Sequence, residues 1–227
     1  MCGRFTLTAG QRATLEARFG AALPDGGLER FNVAPTESIL AVCAGGEGRL
    51  LRWGLVPHWA RSLKDGARMI NARAETVATK RPFSTLVDGA DGRCLILADG
   101  FFEWLRPEDK RQPRQPFFFT VDGGEPFAFA GLWTSARIDG ERVQSATILT
   151  TTPNSVVARL HDRMPVILPD AEAEAAWLGE GVSGREALAL CRPLPGDRMA
   201  AIAANPAVNK PDPAAEGPHL LAAPAAA

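Results

Sequence analysis

The apolar residues of this chain come in short parcels, and that feature most limits what it can fold into. Segments 38–43, 49–53, 94–98, 116–121, 126–133, 146–151 and 164–168 are each apolar and set off by Gly, Pro or Asp. Lengths of about five or six residues between turn formers read as strands. Phe-Ala-Phe-Ala at 127–130 alternates large and small side chains, the pattern of a strand with unequal faces. Helices are expected at 10–19, where Leu15 and Phe19 fall four apart behind Thr6 and Thr8 as candidate caps, near 82–86, at 155–160, and at 170–177 with Asp170 as the cap. A chain of 227 residues can bury one substantial core. The reading is an α+β domain dominated by a curved mixed sheet over residues 1–205. From about Asn205 the chain turns Pro- and Ala-rich, so residues 206–227 are expected to form a loosely held tail.

Several function classes drop out. No apolar run approaches the ~20 residues of a membrane-spanning helix, and the start, Met1-Cys2-Gly3-Arg4-Phe5-Thr6, lacks the apolar stretch of a signal peptide. A cytoplasmic location is expected, with association to the nucleoid when bound to DNA. The four cysteines, Cys2, Cys43, Cys94 and Cys191, are far apart, with no CxxC pair and no metal-ligand spacing. Cys43, Cys94 and Cys191 read as small buried hydrophobes. There is no Gly-rich phosphate loop and no dinucleotide fingerprint, so no cofactor and no metal are expected.

The formal net charge of −1 does not announce a nucleic-acid partner. Its distribution is more telling. Residues 1–120 carry 17 Lys+Arg against 13 Asp+Glu, and the remainder carries 8 against 13. Eight basic residues lie between Arg49 and Arg81, opposed only by Asp65 and Glu75. Arginine outnumbers lysine 21 to 4, which suits bidentate phosphate contact and equally suits a GC-rich genome.

Chemistry enters at the second residue. Removal of Met1 ahead of a small residue would leave Cys2 as a 1,2-aminothiol. Its α-amine and thiol have unperturbed pKa values of ~7.7–8.0 and ~8.5, so both are partly nucleophilic near neutrality. An aldehyde condenses with the amine to an imine, and the thiol then closes a five-membered thiazolidine ring. Three further motifs carry polar chemistry. Asn71-Ala72-Arg73-Ala74-Glu75-Thr76 sets an amide and a guanidinium two apart, on one side of an extended segment. Asp99-Gly100-Phe101-Phe102-Glu103-Trp104 sets a carboxylate among aromatics, which suits proton transfer. His161-Asp162-Arg163-Met164-Pro165 places a histidine at the end of an expected helix. Taken singly, Glu103 reads equally as a surface pair and His161 as a capping residue.

Together with Phe31-Asn32-Val33-Ala34-Pro35, Trp53-Gly54-Leu55-Val56-Pro57-His58-Trp59 and Phe129-Ala130-Gly131-Leu132-Trp133, these motifs run in an order that closely resembles the SOS response-associated peptidase (SRAP) family. The resemblance spans Met1 to about Leu168. It implies a single SRAP-type domain, with a barrel-like core and flanking helices, that crosslinks to abasic sites in single-stranded DNA; apart from the resemblance, a monomer is expected. It further implies Cys2 as nucleophile, Asn71 as the group orienting amine and sugar, Glu103 as proton carrier at the amine, and His161 as donor to the sugar oxygen. Arg4, Arg73, Arg81 and Arg163 match phosphate-contacting arginines; Trp59 and Trp104 are candidates to stack on exposed bases, with core packing as the alternative, and Pro35 is a candidate wedge. Trp53 and Trp133 read as core, and His58 departs from the small residue expected at its place. Two other readings stand beside this one: a thiol peptidase or amidase using Cys2, His161 and Asn71, and a module that grips single-stranded DNA without chemistry.

Overall fold

The computed structural model describes residues 2–8, 12–105, 114–212 and 216–223. Its strands are β1 (Phe5–Leu7), β2 (Arg30–Val33), β3 (Ser38–Cys43), β4 (Glu47–Trp53), β5 (Asn71–Arg73), β6 (Arg93–Ala98), β7 (Gly100–Leu105), β8 (Gln115–Val121), β9 (Phe127–Ile138), β10 (Glu141–Thr151), β11 (Met164–Pro165) and β12 (Met199–Ala203). The helices are α1 (Arg12–Phe19), α2 (Ala74–Val77), α3 (Phe83–Asp88), α4 (Ala171–Leu178) and α5 (Gly184–Ala189). The expected helix at 10–19 is present from Arg12; its first two positions lie outside the described residues. Residues 155–160 form only a short 3-10 turn, Val157–Arg159.

Strand pairings close a ring. β3 lies between β4 and β6, β6 pairs β9, β9 pairs β10, and β10 returns to β4 in parallel through Ser145↔Arg52 and Ala146↔Trp53. The five-strand closure leaves no free edge among its members. The farther end of β10 binds β5 on one side and β11 on the other. A second, antiparallel sheet runs β12-β8-β7-β1-β2. The α+β reading with a mixed, barrel-like sheet is therefore correct.

Period-2 patterning decides what each strand faces. Ile39, Ala41, Cys43, Cys94, Ile96, Phe127 and Phe129 enter one core, whereas Leu40, Val42, Leu95, Leu97, Ala128 and Ala130 enter a second with Leu15 and Trp177 of the helices. The unequal faces expected at 127–130 are thus both buried: large rings go to the first core and small methyls lie under helices. Gly131 is the tightest point of that strand, since a Cβ there would lie 2.7 Å from Ile96 Cδ1 and 2.9 Å from Cys94 Sγ. Asp170 caps α4 as expected, accepting from Ala173 N at 2.8 Å.

The first core joins the two sheets through aromatic rings. Phe5 of β1 packs edge-on to Trp53 (5.1 Å between centroids) and to Phe129 (5.8 Å), and Phe101 of β7 stacks on Phe119 at 4.9 Å. Such pairs contribute about 0.5–1.5 kcal/mol each beyond their burial. Cys2 is fully buried in the same cluster, so the amino-terminal strand is held against the ring by the core itself.

The expected loose tail is corrected in part. Pro206–Asn209 and Pro218–Leu220 form 3-10 turns, with Val208 at 0% and Leu220 at 2% exposure. Ala223 N donates to Ala203 O at 2.8 Å, and Glu216 binds Arg30. Two apolar anchors and one ion pair suffice to dock a segment whose composition is otherwise uninformative. Residues 213–215 and 224–227 lie outside the described residues.

Candidate functional site

The register of β1 against β7 builds the site. Phe5 pairs with Phe101 and Thr6 with Gly100, and Phe102 N donates to Arg4 O at 3.0 Å. Antiparallel continuation brings residues 2 and 3 alongside Glu103 and Trp104. Asp99 fastens the other end, accepting from Thr6 Oγ1 at 2.5 Å and from Thr8 Oγ1 at 2.6 Å. Asn71 opens β5 opposite Ile148 of β10, and its Nδ2 donates to Cys2 O at 2.8 Å. Asn71 Oδ1 is buried with no hydrogen-bond partner among the described residues.

Glu103 is 2% exposed on β7. Burial first, and the Glu103 carboxylate second, push the Cys2 thiol well above its ordinary pKa; the positive chain terminus and Arg4 offset part of this. The resting sulfur is therefore protonated, and its S–H donates toward Arg4 O at 3.6 Å. Arg4 donates from Nη1 to Gly3 O at 2.7 Å, and its own burial lowers the guanidinium pKa.

His161 stands before β11, on the opposite flank of β10 from Asn71. Arg163 N donates to its Nδ1 at 3.0 Å, so the neutral ring carries its proton on Nε2. Asp162 Oδ1 lies 2.9 Å from the same Nδ1, ready for the protonated ring.

The binding residues divide. Trp59 is 50% exposed, and Arg73 and Arg81 are exposed. Trp104 is half-buried on Phe102 and Phe118, and its indole donates to Asn209 Oδ1 at 2.5 Å. With Gly3, Arg4, Arg114 and Asn209 it lines a cleft of about 340 Å³ next to Cys2. Pro35 is half-buried in a turn where Thr36 N donates to Trp53 O at 2.8 Å. Arg163 is a correction. Its fork is buried and closed on Glu75 (Nη1 to Oε1 and Nη2 to Oε2, both 2.8 Å) and on Thr150 O at 2.5 Å, so it joins β11 to α2 and β10 instead of facing phosphate. Trp53 is core, as read, with Nε1 donating to Ile70 O at 2.9 Å; Trp133 is half-buried under the Arg49 guanidinium, 4.6 Å from its centroid. Cys43, Cys94 and Cys191 are buried thiols.

Arg114 and Asn209 were not foreseen. Arg114 precedes an aromatic strand, and Asn209 lies in the supposed tail; only the fold sets them beside Trp104. Among the described residues no group of three or more His, Cys, Asp or Glu is arranged to hold a metal ion, and no helix is long and apolar enough to cross a membrane.

The Arg163–Glu75 pair carries its own prediction. Arg163 holds the Glu75 carboxyl below its usual pKa, so the pair stabilises the fold fully above the unfolded-state value of about 4.3 and loses that contribution as pH falls through the folded value. Glu75 is 45% exposed at its side chain, and screening limits the gain to about 1 kcal/mol. Urea unfolding at pH 7 should show Glu75→Gln less stable by about 1–2 kcal/mol, with a gap to wild type that narrows at pH 3. A gap independent of pH would contradict the pairing.

A family model described as SOS response associated peptidase (SRAP) matches residues 1–211. The chain is 39% identical over 218 residues to the abasic site processing protein YoqW of Bacillus subtilis (strain 168), covering 93% of this chain and 95% of that one. It is 34% identical to the abasic site processing protein YedK of Escherichia coli (strain K12), over 70% of this chain and 69% of YedK. It is 33% identical to the abasic site processing protein HMCES of Rattus norvegicus, over 70% of this chain and 52% of that longer protein. In fold, it superposes on a crystal structure from Bacteroides thetaiotaomicron with a TM-score of 0.87 at 24% identity, covering 99% of this chain and all (100%) of the other.

Proposed function

The chain belongs to the SOS response associated peptidase family, and from that premise we propose that it processes abasic sites in single-stranded DNA by bonding covalently to them through Cys2. The observation that carries the reading is a buried Cys2 bracketed by the Asn71 amide and the Glu103 carboxylate at the end of a strand fixed in the core. Three relatives named as abasic site processing proteins support the choice of substrate.

Removal of Met1 converts the Cys2 nitrogen from a peptide amide to a primary amine. That amine adds to the C1′ aldehyde of the ring-opened sugar, and loss of water leaves an imine. The Cys2 sulfur then adds to the imine carbon, forming the C–S bond as its proton moves to the nitrogen. Glu103 takes the proton from the ammonium or thiol and returns it to nitrogen. His161, presenting Nε2–H, donates to the sugar oxygen while the ring opens. Asn71 holds the Cys2 carbonyl with its Nδ2 and offers Oδ1 to the amine. Arg4, Arg73 and Arg81 bind phosphates, Trp59 and Trp104 receive bases, and Pro35 wedges the strand, the protein acting as a monomer with no cofactor.

The thiol peptidase reading needs a thiolate made by a neighbouring base. Burial and Glu103 oppose a thiolate at Cys2, and the Asn71 amide bonds to the Cys2 carbonyl, not to its sulfur. Incubating the protein with single-stranded and duplex abasic oligonucleotides, beside a panel of peptides, tests the choice. The expected product is an adduct with the single strand that survives boiling in detergent. Peptide turnover without an adduct would overturn the reading.

A further inference from the structure

We propose that this chain carries an additional phosphate-binding site, formed by Arg137, Arg142, Ser135 and His58 at the turn end of the β9–β10 hairpin, which grips the DNA flanking the lesion on one side. The proposal rests on the abasic-site reading above and extends it to the length of strand engaged.

Arg137 and Arg142 are direct partners in the antiparallel register. Like charges placed opposite each other destabilise a strand pair, and among the described residues no carboxylate bonds to either. Glu141 follows the turn next to Arg142, and strand alternation sends it to the other face. Both arginines are exposed. Arg142 Nε donates to Ser135 Oγ at 3.1 Å and Arg137 Nη1 to Gly140 O at 3.1 Å, which orients the forks and leaves their remaining N–H groups and the Ser135 hydroxyl proton for an anion. With His58 these residues line a polar cavity of about 480 Å³. Two guanidiniums and a hydroxyl converging on one cavity are the donors a phosphodiester requires.

The 54–70 loop links the residues of this cavity to β5, which carries Asn71. The His58 ring meets the Trp59 ring edge-on at 4.7 Å, and Trp59 lines a cavity of about 600 Å³ with Arg61, Lys64, Asp65, Arg68 and Met69, three cations to one acid. Met69 is two residues from Asn71. The loop is held at its neck, where Leu55 N donates to Met69 O at 3.1 Å, and it seats on the hairpin through Val56 N to Ser145 Oγ at 2.7 Å and through Val56 packing on Ala136 and Ile138. Gly54, at φ 124°, is required there, because a Cβ would lie 2.8 Å from Gly66 O. The proposed path takes a strand from Asn71 over Trp59 to the arginine pair, on a loop braced against the hairpin.

The test measures non-covalent affinity for oligonucleotides carrying a tetrahydrofuran analogue, which lacks the aldehyde. The lesion is kept central and the flank lengthened two nucleotides at a time, on the 5′ side in one series and on the 3′ side in the other. The Arg137→Ala/Arg142→Ala double variant should match wild type on the shortest oligonucleotide and bind about tenfold more weakly on the longest of one series only. Its salt slope there should be shallower by about 0.7, the contribution of the one single-strand phosphate that the variant no longer neutralises. Equal affinity across both series, or a weakening of one size at every length, would overturn the site. If wild-type protein forms no adduct with the natural abasic oligonucleotide, it is the Cys2 reading that fails, and the two failures are told apart.

Discussion

Replacing Cys2 with alanine should abolish the boiling-resistant adduct while leaving non-covalent affinity for an abasic oligonucleotide within about twofold of wild type. The side chain is fully buried in the core that unites Phe5, Trp53 and Phe129, so a one-atom truncation removes little packing and no phosphate-binding group. It removes the only atom able to close the ring. Cys2→Ser sharpens the point, since it keeps the amine and replaces sulfur with a far weaker nucleophile. That variant should form an imine, seen on a denaturing gel only after reduction with borohydride. An adduct of undiminished yield in Cys2→Ala without a reductant would remove the thiol from the mechanism.

Glu103→Gln should slow adduct formation by roughly 10²-fold between pH 6 and 8, the usual scale of a lost proton carrier, or about 2.7 kcal/mol of barrier. The shape is nearly unchanged by the substitution, so the β7 pairing to Phe117 should survive. A second readout separates chemistry from packing. The Glu103 charge is one of the two main causes that raise the Cys2 thiol pKa, so its removal should move thiol alkylation to lower pH even as adduct formation slows. A merely structural role for Glu103 would not produce opposite shifts in the two. Unchanged rates across this range would assign the proton to another group.

Both predictions depend on residues whose chemistry is visible in the sequence and whose meeting is not. The strands at 38–43 and 94–98 were legible because short apolar runs between turn formers admit few other readings, and β3 begins and ends at those expected residues. β7 was hidden in plain view. Asp99-Gly100-Phe101-Phe102-Glu103-Trp104 reads as a carboxylate among aromatics, and only the register against residues 4–6 makes it the wall beside Cys2. β5 is three residues long, too short for any period, yet it presents Asn71. Arg163 was misjudged for a related reason: its neighbour in sequence is His161, but its partner, Glu75, is 88 residues away. An ion pair that spans such a distance leaves no local pattern. The docked tail was missed because composition averages over Val208 and Leu220, the two side chains that decide it.

The most direct test is tandem mass spectrometry of the amino-terminal peptide after the protein has reacted with an abasic oligonucleotide and the DNA has been trimmed by nucleases. The account predicts a peptide that begins at Cys2, carries the sugar fragment minus one water on that residue, and gains no mass with borohydride because no C=N bond remains. A peptide that keeps Met1 yet bears the fragment, or a fragment attached at any other residue, would contradict it.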